Sequence, residues 1–476
     1  MTYDSELVSE VFGNLSVDKS RLPANISAIA PKFVTEWLVD KLVPGRGKLT
    51  LAEQEKVNEF VQKAFPRKDD ANLINFHIHK GEVYKLISLM QVRVKVDTAG
   101  NKIHDPVARI PSLKMEKCQI SNDLIENNTM LLRQGVWGKI SLARGADDAI
   151  EVIDFDPFQC SSINLAEYAK TRSQFNSEQW RDLMLCSMGC NPEHPSYTTT
   201  AKTWMLARLL PLVEQNYHMM ELAPKGTGKS YIYENINSKV SLISGGKVTP
   251  AQLFINGSTK EVGLLGRHDV VILDEAQSLV FTNPEEVIGP LKNYLASNKY
   301  NRSGYSDITI SSDCSLVLLA NIELDSNLLP RNQHNLLVDL PPFLSETAFL
   351  DRFAGISPGW EIPKFQRDMV ASQVGLKMDF FGEVLLAMRQ DNNYMSYVHE
   401  HIKFDEKVNI RDQNAIYKSA SGFLKILYPH LELTLSDFES DCLKPALQMR
   451  QAIRTIMYNL DDEFRQSGKE IIAEVK

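Results

Sequence analysis

The stretch that most constrains how this chain folds is residues 223–230, which read APKGTGKS. An apolar run precedes it and a short helical pattern follows it, which predicts a strand, a glycine-rich loop and a helix in that order. Such a loop cradles phosphates, because glycine lets backbone N–H groups turn inward and the helix N-terminus carries partial positive charge. The sequence therefore predicts that this loop binds ATP together with Mg²⁺.

Individual residues of the loop have expected roles. Lys229 is expected to reach the β- and γ-phosphates, and Ser230 to hold Mg²⁺ through its hydroxyl. Ala223 stands where the pattern usually has its first glycine, and alanine cannot adopt every backbone angle that glycine can. A chance match is therefore the alternative for the loop taken alone. The residues expected to contact the nucleotide are Pro224, Lys225, Gly226, Thr227, Gly228, Lys229 and Ser230.

Two carboxylates and an amide follow at the ends of two further apolar runs. Residues 270–275 read VVILDE, which predicts a buried parallel strand that ends at Asp274 and Glu275. Because open α/β sheets bind ligands at the carboxyl ends of their strands, Asp274 is expected to hold Mg²⁺ and Glu275 to polarise the attacking water. Asn321 ends the next run, LVLLAN, and its neutral amide can hydrogen-bond that water without adding charge repulsion. The alternatives are an ordinary acidic turn and a turn asparagine.

Two arginines are candidates for contacts with the phosphates. Arg352 lies in AFLDRFAG, and a guanidinium can stabilise the charge that spreads over the phosphate oxygens in the transition state. In ring ATPases such an arginine acts on the nucleotide of the neighbouring subunit. Arg411 stands at the start of a predicted helix and is expected to reach the phosphates from a lid. An ordinary surface ion pair between Asp351 and Arg352 is the alternative for the first arginine.

Composition limits the class of protein. The chain has 476 residues and a formal net charge of −8, so it is not a basic nucleic-acid coat, and any DNA contact needs a local basic surface. The N-terminus lacks a basic head before an apolar run, and no apolar stretch approaches the roughly 18 residues of a membrane span, so a cytoplasmic protein is expected. Six cysteines are scattered, and only Cys186 and Cys190 are close, which favours buried free thiols over a metal site.

The order of the motifs resembles a known family. The motifs follow the order typical of AAA+ ATPases, which is the loop, the acidic pair, Asn321 and the two arginines. The segments VVILDEAQ, GPLKNYLASNKYNRSGYSDI and FLDRFAGISPGWEIPKF resemble the BrxL family, the Lon-like ATPases of BREX phage-defence systems. The resemblance covers most of the chain and is looser in residues 1–150. Family members carry a Lon-protease-like domain after the ATPase, for which the residues up to 476 are too few, so no protease activity is expected from this chain.

The pattern of residues along the chain divides it into five regions. Residues 1–78 are expected to be helical, 79–160 to form a β-rich domain like an oligonucleotide-binding (OB) barrel, and 161–207 to be a helical linker. Residues 208–355 are expected to form an α/β AAA+ core, a parallel sheet flanked by helices, and 356–476 a helical lid with further C-terminal helices. A structural spacer is the alternative for the β-rich region, because strand content alone does not predict binding.

The resemblance also implies an assembly and partners. It implies a homo-oligomeric ring, hexameric or stacked as a double ring, that encircles or translocates on double-stranded DNA and resembles MCM helicases, with other BREX proteins as candidate partners and no membrane. Residues 298–312 contain a Ser-Gly turn and are expected to form a hairpin, which points into the pore in MCM-like rings. Lys299 and Arg302 are then expected to contact DNA phosphates, with Tyr300 or Tyr305 stacking on bases. The alternative is a solvated surface hairpin.

Two functions of other classes stay open on the sequence. A protein unfoldase that works with a separate protease needs aromatic pore loops that grip polypeptide, and the cations in residues 298–312 favour DNA instead. A scaffold in which nucleotide only stabilises assembly is disfavoured by the intact pair of Asp274 and Glu275. The favoured function is therefore ATP hydrolysis by a DNA-encircling ring of an antiphage system.

Overall fold

The computed structural model describes residues 3–22, 29–94, 96–97, 102–158, 163–257, 261–301, 309–333, 335–466 and 468–476. Across these residues the five described cysteines are buried free thiols, and Cys160 lies outside the described part of the chain. No helix within the described ranges is long and apolar enough to cross a bilayer.

The first elements are helices and one short strand, and they join two different parts of the molecule. They are α1 (Ser5–Phe12), β1 (Ser16–Asp18), α2 (Lys32–Leu42), α3 (Leu51–Ala64) and α4 (Ala71–His79). Strand β1 pairs with residues 374–376, far along the chain, whereas Ile74 and Ile78 of α4 pack into the core of the β-rich domain. The stretch 1–78 therefore does not form one separate body.

The next elements form a closed five-stranded barrel. The strands in this region are β2 (Tyr84–Arg93), β3 (Val96–Asp97), β4 (Lys102–Ile103), β5 (Val107–Ile110), β6 (Met115–Ile120), β7 (Val136–Arg144) and β8 (Ile150–Pro157), with helix α5 (Asn122–Glu126) after β6. The barrel order is β2-β5-β6-β8-β7, and only the pair of β6 and β8 is parallel. Gly138 lets β7 and β8 approach closely, because a Cβ there would lie 2.6 Å from the Phe155 ring.

Three helices follow the barrel and lie in the main core of the molecule. They are α6 (Leu165–Arg172), α7 (Ser177–Ser187) and α8 (Thr199–Ala207). Helix α7 begins with a capping box, in which Asn176 and Gln179 each accept the other's backbone N–H. Trp180 is fully buried and donates to the carbonyl of Ile426 at 2.9 Å. These helices therefore pack against the C-terminal helices rather than only connecting two domains.

The nucleotide-motif region folds around a parallel sheet. Its helices and strands are α9 (Leu210–Val213), β9 (Met219–Ala223), α10 (Lys229–Asn235), β10 (Val240–Ser244), β11 (Lys247–Val248), α11 (Pro250–Leu253), α12 (Leu264–Arg267), β12 (Val270–Asp274), β13 (Val280–Phe281), α13 (Pro284–Ser297), β14 (Lys299–Tyr300), β15 (Ile310–Ser311), β16 (Ser315–Asn321), α14 (Thr347–Leu350) and β17 (Gly355–Pro358). Five of the strands form one sheet in the order β10-β12-β16-β9-β17, with every neighbouring pair parallel. The predicted buried parallel strands are thus confirmed.

The remaining elements are mainly helical, and one of the helices packs against the outer strand β17 of this sheet. They are β18 (Val374–Leu376), α15 (Met378–Ala387), α16 (Asn393–His401), β19 (Ile402–Phe404), α17 (Ile410–Leu427), α18 (Leu435–Phe438), α19 (Lys444–Leu460), α20 (Asp462–Gln466) and β20 (Ala473–Val475). Strand β18 is the partner of β1, and β19 pairs with β20. Helix α19 lies against β17 so closely that a Cβ on Gly355 would lie 2.6 Å from the Met449 side chain.

A buried histidine makes the sheet sensitive to acid. His218 precedes β9, and its Nδ1 accepts the backbone N–H of Leu316 at 3.1 Å. Burial first, and then the charges of Lys418 and Arg389, lower the pKa of His218 to about 3. The unfolded chain therefore binds a proton at this residue near pH 6.5, where the folded chain does not.

We predict that the stability contributed by a neutral His218 is full above about pH 6.5 and is lost as the pH falls toward 3, at up to about 1.4 kcal/mol per pH unit. His218→Asn keeps an acceptor for Leu316 but does not titrate. Thermal unfolding from pH 7 to 5 should show a shallower decline for the variant. Parallel declines of the two proteins would contradict the assignment.

Candidate functional site

The sheet brings the glycine-rich loop and the predicted site residues Asp274, Glu275 and Asn321 to one edge, formed by the carboxyl ends of its strands. Because its strands are parallel, their carboxyl ends lie together, and Asn321 is the register partner of Ala223 while Asp274 is the partner of Ser244. The glycine-rich loop leaves this edge directly after Ala223. The edge therefore carries the glycine-rich loop, a carboxylate and an amide on three strands, of which β16 and β9 are immediate neighbours.

The loop has the backbone geometry that its glycines permit. Gly226 and Gly228 have φ angles of 88° and 70°, which L-residues with side chains rarely adopt. Ala223 is instead the last residue of β9, fully buried and within regular pairing, so its position does not require glycine. The departure from the usual motif thus has a structural explanation. The Pro224 carbonyl accepts from Lys229 Nζ at 3.3 Å, which folds the loop back over the start of α10.

The reactive groups of the loop contact those of the neighbouring strands. Lys229 Nζ donates to Asn321 Oδ1 at 2.8 Å, and Ser230 Oγ donates to Asp274 Oδ2 at 2.5 Å. Burial lowers the pKa of Lys229, while Glu221, Asp274 and other carboxylates act in the opposite direction. A hydroxyl beside a carboxylate oxygen is a donor set that Mg²⁺ prefers. The residues present therefore fit Mg²⁺ and an anionic ligand at this edge.

Glu275 lies at the same edge, but its carboxylate points toward the strand on the far side of β12. Its backbone is left-handed, with φ 51°, and its N–H donates to Asp274 Oδ1 at 2.8 Å. A Cβ on Gly245, directly after β10, would lie 2.7 Å from Glu275 Oε2. Strand β10 lies on one side of β12, and β16 and the loop strand β9 lie on the other, so the carboxylate is on the β10 side, while its charge still acts on Lys229.

Sequence patterns missed three residues that support the site. Arg208 forms a buried bidentate pair with Glu221, at 2.8 and 3.0 Å, and also donates to the loop carbonyls of Thr227 and Gly228 at 3.2 and 3.3 Å. Gln277 Oε1 accepts the Asn321 backbone N–H at 3.1 Å. The sequence does contain an indication for Glu221, because this residue is a charged side chain inside the apolar run MMELA. Neither Arg208 nor Gln277 had a comparable local indication.

Both candidate arginines lie at the opposite edge of the sheet. Arg352 stands just before β17, which begins where the parallel strand β9 begins, so it lies at the amino ends of the strands. Arg411, in the first turn of α17, forms an ion pair with Asp351 and is 59% exposed. The structure therefore brings Arg352 and Arg411 together, and it separates both from the loop of the same chain.

The predicted hairpin is present at its base. Strands β14 and β15 are antiparallel, with Lys299 opposite Ser311, and Lys299 is exposed. Arg302 and Tyr305 lie outside the described residues. Tyr300 is only 2% exposed and packs against Phe254, with ring centroids 5.4 Å apart. The prediction that Tyr300 stacks on bases is therefore wrong, because its side chain belongs to the hydrophobic core.

Comparisons with known proteins agree on one family. A family model described as "Lon-like protease BrxL-like, ATPase domain" matches residues 150–470, and one described as "BREX system Lon protease-like protein BrxL N-terminal" matches residues 10–144. Two proteins named Lon-like protease BrxL, from Escherichia coli O9:H4 (strain HS) and Bacillus cereus (strain H3081.97), are each 29% identical to this chain, over 434 and 439 residues.

These alignments cover 90% of this chain but 60% and 62% of the two relatives, so the chain spans about three fifths of their length. Among solved structures, a full-length MCM homologue from Methanopyrus kandleri is similar over 79% of this chain and 78% of its own, with 10% identity and a TM-score of 0.40.

We predict that Glu221→Gln destabilises the loop region by about 3 kcal/mol, because it leaves the Arg208 guanidinium buried without its charged partner. The thermal midpoint should fall by several degrees, and ATP should raise it less than in the wild type. Glu323→Gln, which breaks the exposed pair with Arg331, is the matched control and should shift the midpoint by no more than about 1 °C. Equal midpoints for the two variants would show that the buried pair does not hold the loop.

Proposed function

This chain belongs to the BrxL family, and from that premise we propose that it is an AAA+ ATPase that forms a ring around double-stranded DNA in a BREX antiphage system. One observation carries the proposal. Lys229, Ser230, Asp274 and Asn321 converge at the carboxyl edge of a parallel sheet, through hydrogen bonds of 2.8 and 2.5 Å. ATP with Mg²⁺ is the ligand class that fits this donor set.

Each residue at this edge has a defined task on ATP. Lys229 exchanges Asn321 for the β- and γ-phosphates, and Asn321 is then free to hydrogen-bond the attacking water. Ser230 and Asp274 would hold Mg²⁺, which would supply positive charge against the phosphates. Glu275 takes up the proton-accepting role only after its carboxylate turns from Gly245 toward the loop.

The two arginines complete the site of a second copy. The strands between the loop edge and the arginine edge have four or five residues, which separates the edges by roughly 13–16 Å. That distance is more than an arginine side chain spans, so Arg352 and Arg411 serve a nucleotide held by another chain. A surface that carries the loop and a different surface that carries the arginines make a head-to-tail contact, and repeated head-to-tail contacts close into a ring.

The barrel and the hairpin supply the DNA-facing elements. Counting β2, β5, β6, β7 and β8 as first to fifth, the barrel order is 1-2-3-5-4, with the third and fifth strands parallel, which supports an OB-type barrel. Lys299 is exposed at the base of the β14–β15 hairpin. Repeating this cation, with Arg302, around a ring produces a basic channel within a protein of net charge −8.

We predict that Glu275→Gln retains ATP binding and loses hydrolysis by about a hundred-fold or more, because only the proton acceptor is removed. Lys229→Ala should lose both, because its ammonium contacts the phosphates directly. Fluorescent-nucleotide titration and phosphate release measure the two steps separately. Unchanged turnover in Glu275→Gln would remove this residue from its assigned role.

We also predict salt-dependent binding to duplex DNA by the assembled ring. Alanine at Lys299 or Arg302 should weaken binding uniformly across DNA sequences and lower the slope of log affinity against log salt by about 1 for each phosphate that the variant no longer neutralises. Lys403→Ala, at an exposed cation paired with Glu474, is the control and should leave the slope unchanged. Binding that ignores salt, or ATPase stimulation by unfolded protein but not by duplex DNA, would favour the unfoldase function instead.

A further inference from the structure

A buried ion network lies directly beneath the half-buried Arg352 and the exposed Arg411. Asp351 is almost completely buried and accepts from Arg411 on one oxygen and from Arg450, at 2.6 Å, on the other. Arg450 also donates to Asp412 at 2.6 Å, and Asp412 in turn accepts from Arg454 at 3.1 Å. The side chains of Arg450 and Asp412 are 0% exposed. The network thus connects α17 and α19 to the segment that precedes β17.

Arg450 holds the backbone on both sides of Arg352. Its Nη1 donates to the carbonyl of Phe353 at 2.6 Å and to that of Asp351 at 3.3 Å. These are the residues directly after and before Arg352. Helix α19 also packs tightly on the start of β17, as the close approach of Gly355 and Met449 shows. The backbone that carries Arg352 is therefore fixed from the C-terminal helices and not only from the sheet.

The positive and negative charges of the cluster do not balance, and one of the excess positive charges, that of Arg411, is exposed. The buried part holds two guanidiniums and two carboxylates, those of Arg450, Arg454, Asp351 and Asp412. Arg352 and Arg411 add two further positive charges, and the contacts described supply no further carboxylates to match them. Burial, and then the nearby charge of Arg411, lower the pKa of Arg352. Arg352 Nε is buried and has no hydrogen-bond partner among the described residues, whereas Arg352 Nη1 donates to the Ala348 carbonyl. Such a pair favours an anion that approaches from outside the chain.

We propose that Asp351, Arg450 and Asp412 are positioning residues that preset Arg352 and Arg411 as a paired receptor for the phosphates presented by a second copy of this chain. Asp351 holds Arg411 in place until the phosphates replace it as the partner of that guanidinium. This inference rests on the proposed function, because it assumes that a nucleotide is bound between copies. It adds to that function the groups that set the geometry of the arginines and the route by which α19 and α17 act on the neighbouring site.

The test compares substitutions in the network with substitutions at the arginine itself. Asp351→Asn keeps the size of the side chain but removes the charge shared by Arg411 and Arg450. In the assembled protein, kcat should fall at least about ten-fold, and KM for ATP should stay within about two-fold, because the loop that binds the nucleotide is intact. Arg450→Lys should give the same split, since one ammonium cannot bridge two carboxylates and two carbonyls. Asp462→Asn, at the exposed pair with Arg465, is the control and should change neither constant.

A mixing experiment separates mispositioned arginines from a misfolded chain. Asp351→Asn chains and Lys229→Ala chains are co-expressed with different tags and purified through both tags. The contact between two neighbouring chains is active when the Asp351→Asn chain supplies the loop and the Lys229→Ala chain supplies the arginines. After random assembly, roughly a quarter of the contacts have this arrangement. About a quarter of wild-type turnover is expected, although each variant alone is nearly inactive. A misfolded Asp351→Asn chain supplies no loop and restores nothing.

Mixtures of Arg352→Ala with Lys229→Ala chains distinguish failure of this inference from failure of the proposed function. Recovery in both mixtures supports the inference. Recovery with Arg352→Ala but not with Asp351→Asn overturns the positioning role and leaves the shared site standing. Recovery in neither mixture overturns both. A variant Asp351→Asn with wild-type kcat would also overturn the positioning role, whatever the mixtures show.

Discussion

The parallel pairing of β16 with β12 on one side and β9 on the other is the constraint on which the rest of the structure depends. It fixes Asp274, Asn321 and the start of the loop at one edge, and through β17 it fixes Arg352 at the other. A sheet with one antiparallel strand among these would place part of the nucleotide chemistry at the wrong end. Because all five strands run the same way, the loop and the two arginines lie at opposite ends of the strands, as the proposed site between two copies requires.

Buried charge is used at both edges to hold these halves in place. Under the loop, Arg208 and Glu221 form a bidentate pair at 2.8 and 3.0 Å within the core. Under the arginines, Arg450 plays a similar part with Asp351 and Asp412. Buried ion pairs contribute little net stability, because desolvation offsets most of their attraction, but breaking one is costly. These pairs instead fix the orientation of the backbone, because each guanidinium also donates to carbonyls of a segment that carries a predicted site residue.

Local sequence patterns were sufficient for the strands and the loop, and insufficient for the contacts between distant segments. The apolar runs that end at Asp274 and Asn321 depend on neighbouring residues, so the sequence carries them directly. The pairing of β1 with β18 joins residues more than three hundred positions apart, which no local pattern encodes. The same limit explains Tyr300, whose burial depends on Phe254 and Tyr294, and the orientation of Glu275, which depends on Gly245.

The most direct measurement of the central claim is a cryo-electron microscopy structure of the Glu275→Gln chain with ATP, Mg²⁺ and duplex DNA. We expect the γ-phosphate bound by Lys229 of one copy to lie within hydrogen-bond distance of Arg352 and Arg411 from the adjacent copy, with Asp351 released from Arg411. A γ-phosphate whose protein contacts all come from a single copy, or a chain that stays monomeric with ATP and DNA, would contradict it.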